Sequence, residues 1–169
     1  MIKVQEKANV EIKPAREEDV PVILAFIKEL AEYERLSHTV VTTEDILRQS
    51  LFEENRGAEV VIGYYKEKPV GFALFFHNFS TFLGRPGLYL EDLYVKPEFR
   101  GKGIGRTMFH YLAKLAKERN CGRLEWSVLD WNEPAIKFYK SLGAVSLDDW
   151  TIFRVSGESL ERLAEGIKE

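Results

Sequence analysis

Six residues ahead of a helical pattern carry the clearest chemical signal in the sequence: Arg100-Gly101-Lys102-Gly103-Ile104-Gly105. Glycines at alternate positions reach backbone conformations closed to residues with a Cβ, and they let a ligand approach the peptide groups closely. A helix beginning at once adds unpaired N–H groups and the positive end of its dipole, a combination suited to a phosphate or pyrophosphate. Arg100 and Lys102 add positive charge. The same turn could serve only to ease tight packing. Two nucleotide motifs do not fit. The dinucleotide fingerprint needs a third glycine where Arg106 stands, and no Gly-Lys-Ser/Thr follows Gly101 at the Walker spacing.

Other chemistries find little support. His38, His77 and His110 are scattered and show no metal-ligand spacing with the single cysteine, Cys121, so no metal is expected. No serine sits in a G-x-S-x-G elbow. Glu91 and Asp92 are adjacent in an apolar run, and a two-residue period sends them to opposite faces, Glu91 with Tyr89 and Leu93. Either carboxylate could be a solvated strand end. Tyr139, one turn beyond Ala135, could donate a proton or merely pack on a sheet.

The elements that must position these residues alternate in type. Val10–Pro14 reads as a strand, Glu17–Glu34 as an amphipathic helix, and Thr42-Thr43-Glu44-Asp45 as the cap of a second helix running to Phe52. Three apolar runs, Glu59–Tyr65, Val70–Phe79 and Leu88–Val95, are joined by short turns and predict an antiparallel meander. A helix follows Gly105. Then come a strand over Leu124–Leu129, a helix over Pro134–Leu142, a strand over Thr151–Ser156 and a closing helix over Ser159–Ile167. The order predicts an α/β fold with a mixed sheet.

With 169 residues, 45% hydrophobic and 30% charged, the chain suits one folded domain over residues 1–169, residues 1–9 being a flexible N-terminal extension. A net charge of -3 provides no global positive field for nucleic acid. No apolar run is long enough to span a membrane. One cysteine and a start without an apolar signal core make a cytoplasmic protein the expectation.

Two blocks together resemble the GNAT N-acetyltransferase superfamily: Arg100-Gly101-Lys102-Gly103-Ile104-Gly105, and Asn132-Glu133-Pro134-Ala135-Ile136-Lys137-Phe138-Tyr139 through Gly143. Within it, Ile27 to Glu34, Leu88 to Val95 and Trp131 to Pro134 look like the diamine acetyltransferases, which acetylate spermidine, spermine or thialysine. Ala144, after the helix-ending glycine, is the variant seen in that group. The resemblance implies a mostly antiparallel central sheet flanked by helices, in a single domain. It implies acetyl-CoA as co-substrate, with pantetheine along Leu93, Tyr94 and Val95, the pyrophosphate on Gly101 through Arg106, and further cofactor contacts at Asn132 and Tyr139.

The resemblance further implies acetyl transfer to a primary amine of a small cationic substrate, by direct attack in a ternary complex. Tyr139 matches the family's general acid and Glu91 an acidic residue facing the amine. Tyr33 and Glu34 match substrate-side positions, and Asp148 and Asp149 fall near an acidic pair of the relatives. A homodimer is implied as well. Acetylation of protein N-termini or lysines, and a silent acyl-CoA-binding domain on the same fold, are the alternatives.

Overall fold

The computed structural model describes residues 9–166. Apart from Asn9, the expected N-terminal extension lies outside them, as does Ile167. The chain divides into two compact units, Met1–Ser127 and Val128–Glu169.

The first unit is built on a five-stranded sheet of β1 (Val10–Pro14), β2 (Glu59–Tyr65), β3 (Lys68–Ser80), β4 (Arg85–Val95) and β5 (Leu124–Trp126), in that spatial order. The first four strands are antiparallel and β5 runs parallel to β4. The sheet is thus mixed and mostly antiparallel, as expected. Helices α1 (Val20–Tyr33), α2 (Glu44–Phe52) and α3 (Ile104–Glu118) flank it.

The apolar stripe of α1 explains its place. Val20, Ile23, Phe26 and Leu30 are buried in one cluster with Phe72 and Tyr94 of the sheet and Leu47 and Leu51 of α2. The Phe26 and Phe72 rings stack 5.7 Å apart, within 8° of parallel. Ile104 and Met108 of α3 bury against Val10, Val70 and Val95 in a second cluster. At the far end of α3, Arg119 pairs bidentately with Glu59 of β2. That pairing holds the Glu59 carboxyl below its ordinary pKa. The expected cap of α2 is present: the Thr43 hydroxyl accepts from Ile46 N–H at 3.3 Å.

The decisive local feature is a bulge in β4. Phe75 of β3 pairs with Leu90, and the next pair is Leu74 with Asp92, leaving Glu91 as the extra residue. Residues two apart on β3 share a face, so Ala73 and Phe75 place Leu93 and Leu90 on one face. Phe72, Leu74 and Phe76 place Tyr94, Asp92 and Tyr89 on the other. The expectation that Glu91 shares a face with Tyr89 and Leu93 is therefore corrected. Asp92 takes that place beside Tyr89.

The second unit contains α4 (Glu133–Lys140) and α5 (Glu158–Ala164). Two strand expectations fail. The expected Leu124–Leu129 strand stops at Trp126, which pairs with Leu90, because the bulge interrupts the partner strand at the next residue. The strand expected over Thr151–Ser156 is irregular, with Ile152 75% and Phe153 91% exposed. Strand preference is a fit to a pleated, half-buried surface. Among its described residues, this unit has no strand to pair with that segment.

Candidate active site

The glycine turn connects β4 to α3 through a single helical turn at Pro97–Phe99. Gly101 and Gly103 have φ of +74° and +84°, in the left-handed region that disfavours any residue with a Cβ. Gly103 is the N-cap of α3. Its carbonyl accepts from both the backbone N–H (2.9 Å) and the hydroxyl (3.0 Å) of Thr107. The amides of Ile104, Gly105 and Arg106 lie ahead of that bond, in the first turn, where no intrahelical acceptor exists. A Cβ placed on Gly101 would meet nothing within 4 Å. An open turn with donor amides at the positive end of a 15-residue helix suits an anion.

The two cations of the motif are engaged by aromatic rings. Lys102 Nζ lies 4.8 Å from the Phe99 ring centre and 5.2 Å from that of Tyr65. The Arg100 guanidinium lies 4.7 Å from the centre of Tyr33 and 5.8 Å from that of Tyr94. Its Nε donates to the carbonyl of Val95 at 2.9 Å.

Beyond the bulge, β4 has ladder partners on β3 but none on β5, whose pairing ends at Leu90. The backbone of Leu93, Tyr94 and Val95 is therefore bordered by another strand on one side only. Their side chains are otherwise committed. Leu93 and Val95 belong to the α3-side core, and Tyr94 is buried on the α1 side. Burial and a hydrogen bond with Glu29 raise the Tyr94 phenol to about 12.

An acidic group gathers at this bulge. Asp92 is pushed up to about 6, first by burial and then by the nearby charges of Glu91 and Glu34. Burial also raises Glu34, which caps the C-terminus of α1 directly after Tyr33. Glu91 itself is exposed. Sequence reasoning bet on the exposed member of the pair and missed the perturbed one. The signal was present: Leu88 and Leu90 are spaced by two, whereas Leu93 follows Leu90 by three, the spacing of a bulge.

In the second unit, Asn132 is buried and caps α4, its Oδ1 accepting from Ala135 N–H at 3.4 Å. Tyr139 is half-buried, with its ring centre 5.7 Å from that of Phe138. Gly143 has φ of +87°, and the N–H of Ala144 donates to the Tyr139 carbonyl at 3.2 Å, which ends the helix. Asp148 and Asp149 are exposed, and Asp148 accepts from Ser146 Oγ at 3.2 Å. The predicted residues thus fall into two groups. Tyr33, Glu34, Glu91, Leu93 to Val95 and Arg100 to Arg106 belong to the first unit, and Asn132, Tyr139, Asp148 and Asp149 to the second. Among the described residues, no group of three His, Cys, Asp or Glu side chains could hold a metal ion.

Residues 24–144 match the model of the acetyltransferase (GNAT) family, a span that contains both blocks and the whole bulge. The chain belongs to the GNAT family. This GNAT chain is 40% identical to the thialysine N-epsilon-acetyltransferase of Sus scrofa, over 93% of its own length and 98% of the relative's. It is 34% identical to the spermidine/spermine N(1)-acetyltransferase-like protein 1 of Homo sapiens, over 91% of this chain and 24% of that one. Among solved structures, an integron cassette protein from the mobile metagenome of V. cholerae superposes with a TM-score of 0.78 at 32% identity, over 94% of this chain and 99% of that one. The GNAT chain is an N-acetyltransferase acting on amines, as its family and curated relatives establish. Enzymes of the family use acetyl-CoA, and the donor amides of the glycine turn fit its pyrophosphate. None of the described helices is long and apolar enough to cross a membrane.

Proposed function

We propose that the chain transfers acetyl from acetyl-CoA to the primary amine of a small cationic substrate of the thialysine or polyamine type, by direct attack in a ternary complex. The observation that carries this reading is the acidic group at the β4 bulge. Asp92 and Glu91, on the strand that leads into the anion-binding turn, gather with Glu34 from the end of α1. A half-buried carboxyl raised to about 6, first by burial and then by neighbouring negative charges, is favoured in its charged form by an ammonium group placed beside it.

Acetyl-CoA supplies a thioester carbonyl and a thiolate leaving group. The chain must hold it, orient the amine and move two protons. The amides of Gly101 to Arg106, assisted by the positive charge of Arg100 and Lys102, hold the pyrophosphate. The one-sided edge of Leu93, Tyr94 and Val95 offers backbone groups to the amide-bearing arm, and Asn132 and Tyr139 add contacts. Tyr33, Glu34 and Asp92 recognise the cation, with Asp148 and Asp149 adding negative charge.

An alkylammonium is only about 0.04% neutral at pH 7, a handicap of roughly 4–5 kcal/mol. Glu91, open to solvent, takes the amine proton through water as the nitrogen attacks. Tyr139 donates a proton to the departing thiolate and regains one from solvent. A free thiol near 8.5 is a stronger acid than a phenol near 10, so the transfer is uphill by roughly 2 kcal/mol and assists the departure of sulfur rather than driving it. The resemblance supports both roles. It also supports a homodimer, which light scattering tests, while the single, free Cys121 suits a cytoplasmic location.

A thiol-release assay with acetyl-CoA over thialysine, lysine, ornithine, spermidine and a short diamine tests the reading. Turnover of at least one free amine is the expected outcome. Turnover confined to peptide substrates would replace it with protein acetylation, and none on any amine would leave a silent binding domain.

A further inference from the structure

Arg100 is the first residue of the phosphate-binding motif, yet its side chain makes a different set of contacts. Its Nε donates back to the Val95 carbonyl, five residues earlier, and this bond staples the turn between β4 and the glycines. Its guanidinium carbon stands 4.7 Å from the Tyr33 ring centre and 5.8 Å from that of Tyr94. Tyr94 is on the same strand as Val95, but Tyr33 is the last residue of α1, an element outside the turn. A planar, weakly hydrated guanidinium can stack on a ring while donating in its own plane, which a lysine ammonium cannot do. Tyr33 is followed by Glu34 of the acidic group, so one cation–π contact joins the cofactor turn to the helix end on the amine side.

We infer that Arg100 is a positioning residue: stacked on Tyr33, it holds the glycine turn in its anion-binding shape, so Tyr33 contributes to cofactor affinity from outside the turn. The inference rests on the reading of that turn as the CoA site. Energetic coupling through a shared contact is reciprocal, so a disturbance at either end reaches the other.

The test is calorimetric titration of CoA against the wild type, Arg100→Met, Tyr33→Leu, Tyr33→Phe and the double variant Arg100→Met/Tyr33→Leu. A cation–π contact of this kind predicts CoA binding weakened about three- to tenfold in Tyr33→Leu. Tyr33→Phe, which keeps the ring, stays within about twofold of the wild type. The double variant binds no more weakly than Arg100→Met alone, because both changes remove one contact. Wild-type affinity in Tyr33→Leu, or additive losses in the double variant, would overturn the inference and make Arg100 a direct phosphate ligand. Should Arg100→Met fail to fold by circular dichroism, the Tyr33 pair decides alone.

If the wild type binds no CoA, the cofactor reading fails separately. The clamp is then judged on the ligand-free protein, by hydrogen exchange of the peptide spanning Gly101 to Gly105. Faster exchange in Tyr33→Leu than in Tyr33→Phe supports the clamp, and equal exchange rejects it.

Discussion

Substituting Asp92 by asparagine probes the acidic bulge through stability alone, without any assumption about substrate. Its carboxyl has a pKa of about 6 in the folded chain against an ordinary 3.8. At about 1.36 kcal/mol per unit, that difference is a penalty of roughly 3 kcal/mol on folding with Asp92 ionised. The side chain keeps partial access to solvent, so about 2 kcal/mol is the working figure. The sign follows from proton binding. Between about pH 4 and pH 6 the folded chain holds a proton at Asp92 that the unfolded chain has lost, so raising the pH through this window destabilises the fold. Below the window there is no penalty, and above it the penalty is complete. Asp92→Asn removes the ionisation while nearly preserving shape. Its gain over wild type should therefore be close to zero at pH 4 and about 2 kcal/mol at pH 7.5, a rise in Tm of about 4–8 °C. Differential scanning fluorimetry of both proteins across pH 4 to 8 measures this. A difference in Tm that stays constant over the series would refute the argument, since no ionisation at Asp92 would then be linked to folding.

Three further outcomes follow from the same site. Tyr139→Phe should lower kcat on the order of a hundredfold while CoA affinity changes less than about twofold; an unchanged kcat would remove Tyr139 from the acid role. Glu91→Gln should reduce activity most at low pH, where neutral amine is scarcest, and a pH–rate profile parallel to wild type would count against proton transfer there. Gly103→Ala forces a Cβ into a backbone with φ of +84° and should lower stability by about 1–2 kcal/mol in urea titration; no loss would mean the turn relaxes freely.

Much of the fold was legible because local physics determined it. Val10–Pro14 and Glu59–Tyr65 appear with the bounds expected from alternation and flanking turns. The Thr43 cap and the glycine-led start of α3 arise from backbone groups that only certain residues satisfy. The bulge was less legible, since a strand's period is reset by its neighbour. Only the ladder with β3 reveals that Glu91 is the unpaired residue and that the half-buried Asp92 takes the facing beside Tyr89. The segment Thr151–Ser156 fails for a related reason: β-branched and aromatic residues favour a strand only where a partner strand exists. The engagement of Arg100 was beyond sequence reasoning, which saw a charge beside glycines and could not see a ring brought from α1.

The bulge has a consequence for how this chain tolerates change in length. With Glu91 in place, Leu90 and Leu93 face the same side although three positions separate them. Deleting that one residue would restore strict alternation and leave every facing unchanged, because Leu90, Asp92 and Leu93 would then follow one another in the register that β3 already imposes. Were the bulge flattened with Glu91 kept in the ladder, Asp92 to Val95 would rotate, Leu93 and Val95 would leave the α3-side core, and Asp92 and Tyr94 would be driven into it. Many single substitutions at position 91, and even its deletion, would leave these facings intact, whereas drawing residue 91 into the ladder would invert an entire half-strand. The frame of β4 is thus set by the residues that pair with β3, and residue 91 stands outside that count whatever its side chain does.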